Sequence, residues 1–152
     1  MSTFRLVKQE GHFLKRHSLS FAAVGVLLLW VLLYWRADPD THWGAFFGNA
    51  IADWTGVVVT VIGTKFLFEA GSAESRQPKR LWHRKALAFA QRHSLTIFLL
   101  VTGAAWVALY LHFDPQGKWN QVTGNIVSEW TQIIGLVLLT KRLIEPGSKE
   151  SK

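Results

Sequence analysis

Four apolar runs, each close to twenty residues long, constrain this chain more than any other feature. A helix of about 20 residues, rising 1.5 Å per residue, crosses a hydrocarbon core of about 30 Å. A soluble domain of 152 residues has no need of such runs. The spacing predicts helices over 18–35, 44–68, 94–113 and 122–144. Ser18 is read as the N-cap of the first. Asp38-Pro39 and Asp114-Pro115 stop the first and third, because the residue before a proline is pushed out of helical dihedrals. Pro146-Gly147 is read as the stop of the fourth.

The runs are related. At a constant offset of 76 positions, Arg16-His17-Ser18-Leu19 returns as Arg92-His93-Ser94-Leu95, and Trp30-Val31 as Trp106-Val107. In the same register Asp38-Pro39 returns as Asp114-Pro115, Gly48-Asn49 as Gly124-Asn125, Trp54-Thr55 as Trp130-Thr131, and Gly71-Ser72 as Gly147-Ser148. Chance likeness between apolar segments preserves Leu and Val, not Asp-Pro and Gly-Asn in register. The chain therefore reads as a tandem duplication, residues 1–76 and 77–152. Each copy holds an even number of spans, so both enter the membrane in the same direction. The expected architecture is an all-α integral membrane bundle of four helices, two parallel-repeat hairpins about a pseudo-two-fold axis along the membrane normal.

Basic residues set the expected orientation. Of 17 Lys and Arg, only Arg36 and Lys118 lie on the Asp-Pro side. The remainder flank the other ends of the spans or fill the middle loop, which places both termini and that loop in the cytoplasm. Trp35, Trp43 and Trp119 fit an aromatic belt at the opposite interface. The first apolar run is too long for a signal-peptide core, so a cytoplasmic (inner) membrane location is expected. The segment 80–91 reads as an amphipathic interfacial helix, with Leu81, Trp82 and Phe89 opposing Arg84 and Lys85. A net charge of +7 divided among such loops points to anionic lipid headgroups as partner and not to nucleic acid. Arg16, Lys65, Arg80, Trp82, Arg84, Lys85, Arg92 and Lys141 are the expected headgroup anchors.

Ser128-Glu129-Trp130-Thr131-Gln132, an apolar helix and then Gly147-Ser148-Lys149-Glu150-Ser151-Lys152 resemble a family of small bacterial membrane proteins classed as a domain of unknown function. The first copy matches more loosely, with Ala52-Asp53-Trp54 and Gly71-Ser72-Ala73-Glu74-Ser75-Arg76. The resemblance implies a helical membrane fold and brings no activity with it.

Asp53 and Glu129 occupy equivalent positions inside apolar helices, where an ionised carboxylate at the bilayer centre costs roughly 2.5–3.5 kcal/mol. With Asn49 and Asn125 they define an expected polar seam at the pseudo-axis. Three readings of that seam stand: helix packing through polar side chains, an ion or proton pathway, or a partner-binding surface. If Lys65 snorkels, the helix slides outward and the carboxylates rest in the interface instead. His17 and His93 form a second symmetric pair, read as headgroup-facing, with metal or haem ligation as the lesser alternative. Lys65 with Glu69, and Lys141 with Glu145, are spaced as i,i+4 pairs. There is no cysteine, which excludes disulfides and thiolate chemistry, and no Walker loop, nucleophile elbow or zinc motif. No cofactor and no catalytic residue are expected. The leading functional expectation is a non-enzymatic accessory subunit packing against a larger membrane complex or a homo-oligomer. The alternative is a small ion or proton channel or transporter using Asp53 and Glu129.

Overall fold

A computed structural model describes residues 15, 17–74, 84–143, 146 and 148. The described residues form five helices: α1 (Ser18–Arg36), α2 (His42–Phe66), α3 (Lys85–Arg92), α4 (Ser94–His112) and α5 (Lys118–Leu139). Four of them, α1, α2, α4 and α5, are long and apolar enough to cross a membrane. Their outward faces carry Leu28, Leu29, Leu32, Leu100, Val101 and Leu111, all exposed. In water such a surface would be untenable. This is the all-helical, multi-pass character that the apolar runs imply.

Each long pair forms a hairpin, α1 on α2 and α4 on α5, and the two hairpins meet along α2 and α5. The inward face of α2 is lined by small residues, with Gly44 against the Asp38-Pro39 turn and Gly48 and Gly56 toward Val122 and Glu129 of α5. Gly44, Gly48, Ala52 and Gly56 recur every fourth position and are all buried. Small side chains let helix backbones approach closely where lipid removes any hydrophobic gain from association. Gly48 receives the Tyr34 ring and Val122, and the core continues through Ile51, Ile126, Trp130 and Val137. Positions 76 apart make like contacts: Gly124 lies against the Tyr110 ring, and the two Asp-Pro turns close alike. In those turns Asp38 and Asp114 each accept the N–H two residues on, at 3.0 Å.

Helix ends differ from the sequence expectation in several places. α1 starts after His17, and the Ser18 hydroxyl donates to the Lys15 carbonyl at 3.1 Å instead of capping the helix. α2 begins two residues before Gly44 because Thr41 caps it, accepting the Gly44 N–H at 3.1 Å. It ends at Phe66, two residues short, since Leu67 is extended and its N–H closes on the Gly63 carbonyl. α5 runs from Lys118 to Leu139, earlier at both ends than 122–144, so Pro146 does not terminate it. α3 covers Lys85–Arg92; Arg80 and Trp82 lie outside the described residues, as do Arg16 and Glu145. No α3 residue is buried, and Leu87 and Phe89 are exposed beside Lys85 and Arg92.

Candidate functional site

Two clasps hold the hairpins together, one at each end of the bundle. At the Asp-Pro end, Tyr34 of α1 is fully buried and its hydroxyl donates to the Lys118 carbonyl at 2.6 Å. The Lys118 ammonium lies 4.7 Å from the Tyr34 ring centroid and donates to the Ala37 and Trp35 carbonyls at 2.5 and 3.3 Å. A cation there satisfies carbonyls left open at the C-terminus of α1 and opposes the negative end of its dipole. Trp119 packs edge-on to Tyr34 and 6.0 Å from Trp35.

At the opposite, lysine end, the extended segment after α2 docks on the α3–α4 junction. Ala70 donates to the Arg92 carbonyl at 2.8 Å, and Leu95 to the Phe68 carbonyl at 3.1 Å. Gly71, at φ +93, turns the chain in the left-handed region that favours glycine. The turn delivers the buried Ser72 hydroxyl to within 2.9 Å of Thr140 Oγ1. Ser72 and Ala73 of the first copy's Gly-Ser motif therefore cover the end of α5. The same segment buries Glu69, 1 % exposed, whose Oε1 takes the Lys141 ammonium at 2.6 Å and His93 Nδ1 at 2.5 Å. Burial works to raise the Glu69 carboxyl, but hydrogen bonds from Lys141 and His93, with a further pull from Thr96 and the His93 charge, hold it below its ordinary value.

These contacts correct one expectation and bear on two others. Glu69 pairs with His93 and Lys141 across the hairpins, not with Lys65 one turn away, and the expected Lys141 partner Glu145 lies outside the described residues. His93 is a partner of that buried carboxylate and is itself part-exposed at the lysine end. Lys65 instead lies 3.1 Å from His17 Nδ1. His17 and His93 are thus engaged apart from one another, and no group of three metal-ligating side chains occurs among the described residues. A signal for this clasp was present in the sequence, since Glu69, His93 and Lys141 recur at the 76-residue offset as Glu145, His17 and Lys65. The fourfold spacing of Gly44, Gly48, Ala52 and Gly56 is a second such signal in the sequence.

The polar seam residues are placed between the clasps. Asp53 falls near the midpoint of α2 and Glu129 near the midpoint of α5. Asp53 stands about 18 Å along the helix from Lys65. Asn49 and Asp53 share an exposed face of α2, whereas Asn125 and Glu129 are half-buried on α5. Where the helices touch, the contact is made by Gly48 and Gly56, and the Glu129 carboxylate occupies the space that Gly56 leaves. The two carboxylates are within electrostatic reach of each other. The structure therefore sets the seam beside the helix contact and leaves its α2 half uncovered. A side chain at Gly56 would meet Glu129 at once, at 2.6 Å from Oε1 for the first carbon alone. Gly56→Leu is expected to part α2 from α5 and cost about 1–3 kcal/mol as overpacking, measured by thermal unfolding in detergent. Gly25→Leu, where nothing lies within 4 Å, should be near neutral.

Two hollows approach this level of the bundle. One, of about 330 Å³, lies between α2, α4 and α5 and reaches from Gly56 and Glu129 to Thr64 and Glu74. The other, of about 660 Å³ and more polar, runs from Asp40 and Gln116 down α5 past Gln121 and Asn125 to Ser128. Compared with models of known families, with curated proteins and with solved structures, the chain matches none.

Proposed function

We propose that this chain is a non-enzymatic, multi-pass accessory subunit that docks through the Asn49–Asp53 face of α2 onto a membrane-spanning helix of another protein. The supporting observation is Asp53 itself, an exposed carboxylate at the middle of a helix long and apolar enough to cross a membrane. Facing lipid, it would cost roughly 2.5–3.5 kcal/mol; against a helix presenting Lys, Arg, Ser or Asn at the same depth, that cost becomes an attraction. The same reading places the protein in a cytoplasmic membrane with both termini and the middle loop inside, from the distribution of Lys and Arg. The exposed Leu87 and Phe89 of α3, beside Lys85 and Arg92, suit a helix resting among anionic headgroups. A pseudo-two-fold relation between the hairpins is supported by the matched Tyr–Gly contacts and by His17 and Lys65 meeting as the counterparts of His93 and Lys141.

The chain has no cysteine of its own, so single cysteines at chosen positions give unique handles. A benzophenone label on Asn49→Cys or Asp53→Cys, irradiated in native membranes, is expected to join one defined integral membrane protein. The same label on Leu28→Cys should yield lipid adducts. Joining to a second copy of the chain would replace the accessory role with a homo-oligomer, and lipid adducts from all three sites would end the docking reading.

A second reading, a proton or ion pathway, draws support from the two hollows, which arrive from opposite ends at the adjacent residues Ser128 and Glu129. It requires flux in liposomes that Glu129→Gln and Asp53→Asn abolish. Flux that ignores both substitutions, or no flux at all, excludes it.

A further inference from the structure

The smaller hollow has a chemistry of its own, independent of the docking reading. Its walls are mostly apolar, with Val59, Leu99, Ile133 and Val137 among them, and it ends at mid-span on Glu129. Sites for small organic molecules commonly have this form, a cavity of about 300–1,000 Å³ with apolar walls and a few placed polar groups. The ion pairs on Glu69 lie at the lysine end, and among the described residues no cation pairs with Glu129. The Gly56 gap is what admits that carboxylate. Val57 and Leu136, about 41% and 40% exposed, form the rim, so the opening is sideways, where acyl chains would lie. A molecule that enters by that route must be lipophilic, and one that is held at Glu129 must carry positive charge.

We infer that the cavity between α2, α4 and α5 binds a lipophilic organic cation. Its charged centre pairs with Glu129, and its apolar body lies along Leu99, Ile133 and Val137. From Gly56 to Thr64 the hollow follows about 12 Å of helix, room for the apolar body of such a cation.

The probe is radiolabelled tetraphenylphosphonium, measured against the full-length protein in detergent by equilibrium dialysis. Saturable binding is expected, weakened at least about tenfold in Glu129→Gln, since the attraction between opposite charges in an apolar site is then lost. Uncharged triphenylphosphine oxide should bind at least about tenfold more weakly than the cation. Val137→Phe, which fills the cavity and leaves the carboxylate in place, should also weaken binding, and it serves if Glu129→Gln does not fold. Absence of saturable binding to the unaltered protein overturns the inference. So does equal binding of the neutral compound, or equal binding by both variants.

Discussion

Glu69→Gln is expected to lower stability by about 3–5 kcal/mol, because it leaves Lys141 and His93 facing a buried position that no longer carries charge. In detergent that corresponds to a fall in melting temperature of at least about 6 °C for a chain of this size. The acid dependence follows from the direction of the shift. The carboxyl titrates below its ordinary value of 4.5 when folded, so its contribution is complete above that value. It is lost as pH falls through the lower, folded value. The unaltered protein should therefore melt at progressively lower temperature as pH drops below about 4.5. Glu69→Gln should be weaker at neutral pH and respond less in the acid range. Parallel pH profiles for the two proteins would show that the clasp contributes nothing.

Tyr34→Ala is expected to have a comparable effect at the other end. The ring is fully buried, lies beneath the Lys118 ammonium and fills the space beside Gly48. Truncating a buried aromatic costs about 3–5 kcal/mol through lost contacts and the cavity left behind. Tyr34→Phe keeps the ring and forfeits the hydrogen bond to the Lys118 carbonyl, a loss of about 1 kcal/mol. Tyr110→Ala is the internal control. Tyr110 occupies the corresponding place against Gly124 yet is 41% exposed, so its removal should cost clearly less. Chemical denaturation in mixed micelles would rank the three. Equal losses for Tyr34→Ala and Tyr110→Ala would refute the unequal roles assigned to them.

Much of the architecture was legible in advance, because apolar length and Asp-Pro stops are local properties of the chain. All four long helices lie where those signals put them, with ends displaced by a few residues. The displacements have local causes as well, such as Thr41 capping α2 ahead of Gly44. What escaped was what depends on distant residues meeting. Lys65 and Glu69 have helical spacing, but the helix stops at Phe66, so the spacing never applies and Glu69 is free to reach across the hairpins. Asp53 and Glu129 were recognised as equivalent, yet one is exposed and the other packs on Gly56. Sequence equivalence does not convey that difference, since it arises from how the two hairpins lean on each other.

The Glu69–Lys141 contact also bears on how the chain is made. Its partners are 72 positions apart, and at about 5–20 residues per second the ribosome needs roughly 4–14 s to pass from one to the other. The nascent first hairpin thus carries an acid whose lysine has not yet been synthesised. His93, only 24 positions downstream, emerges earlier and offers a provisional counterpart. A product truncated before Lys141 would retain the acid in that half-answered state, and its expected fate is removal by membrane proteases while the full-length chain persists.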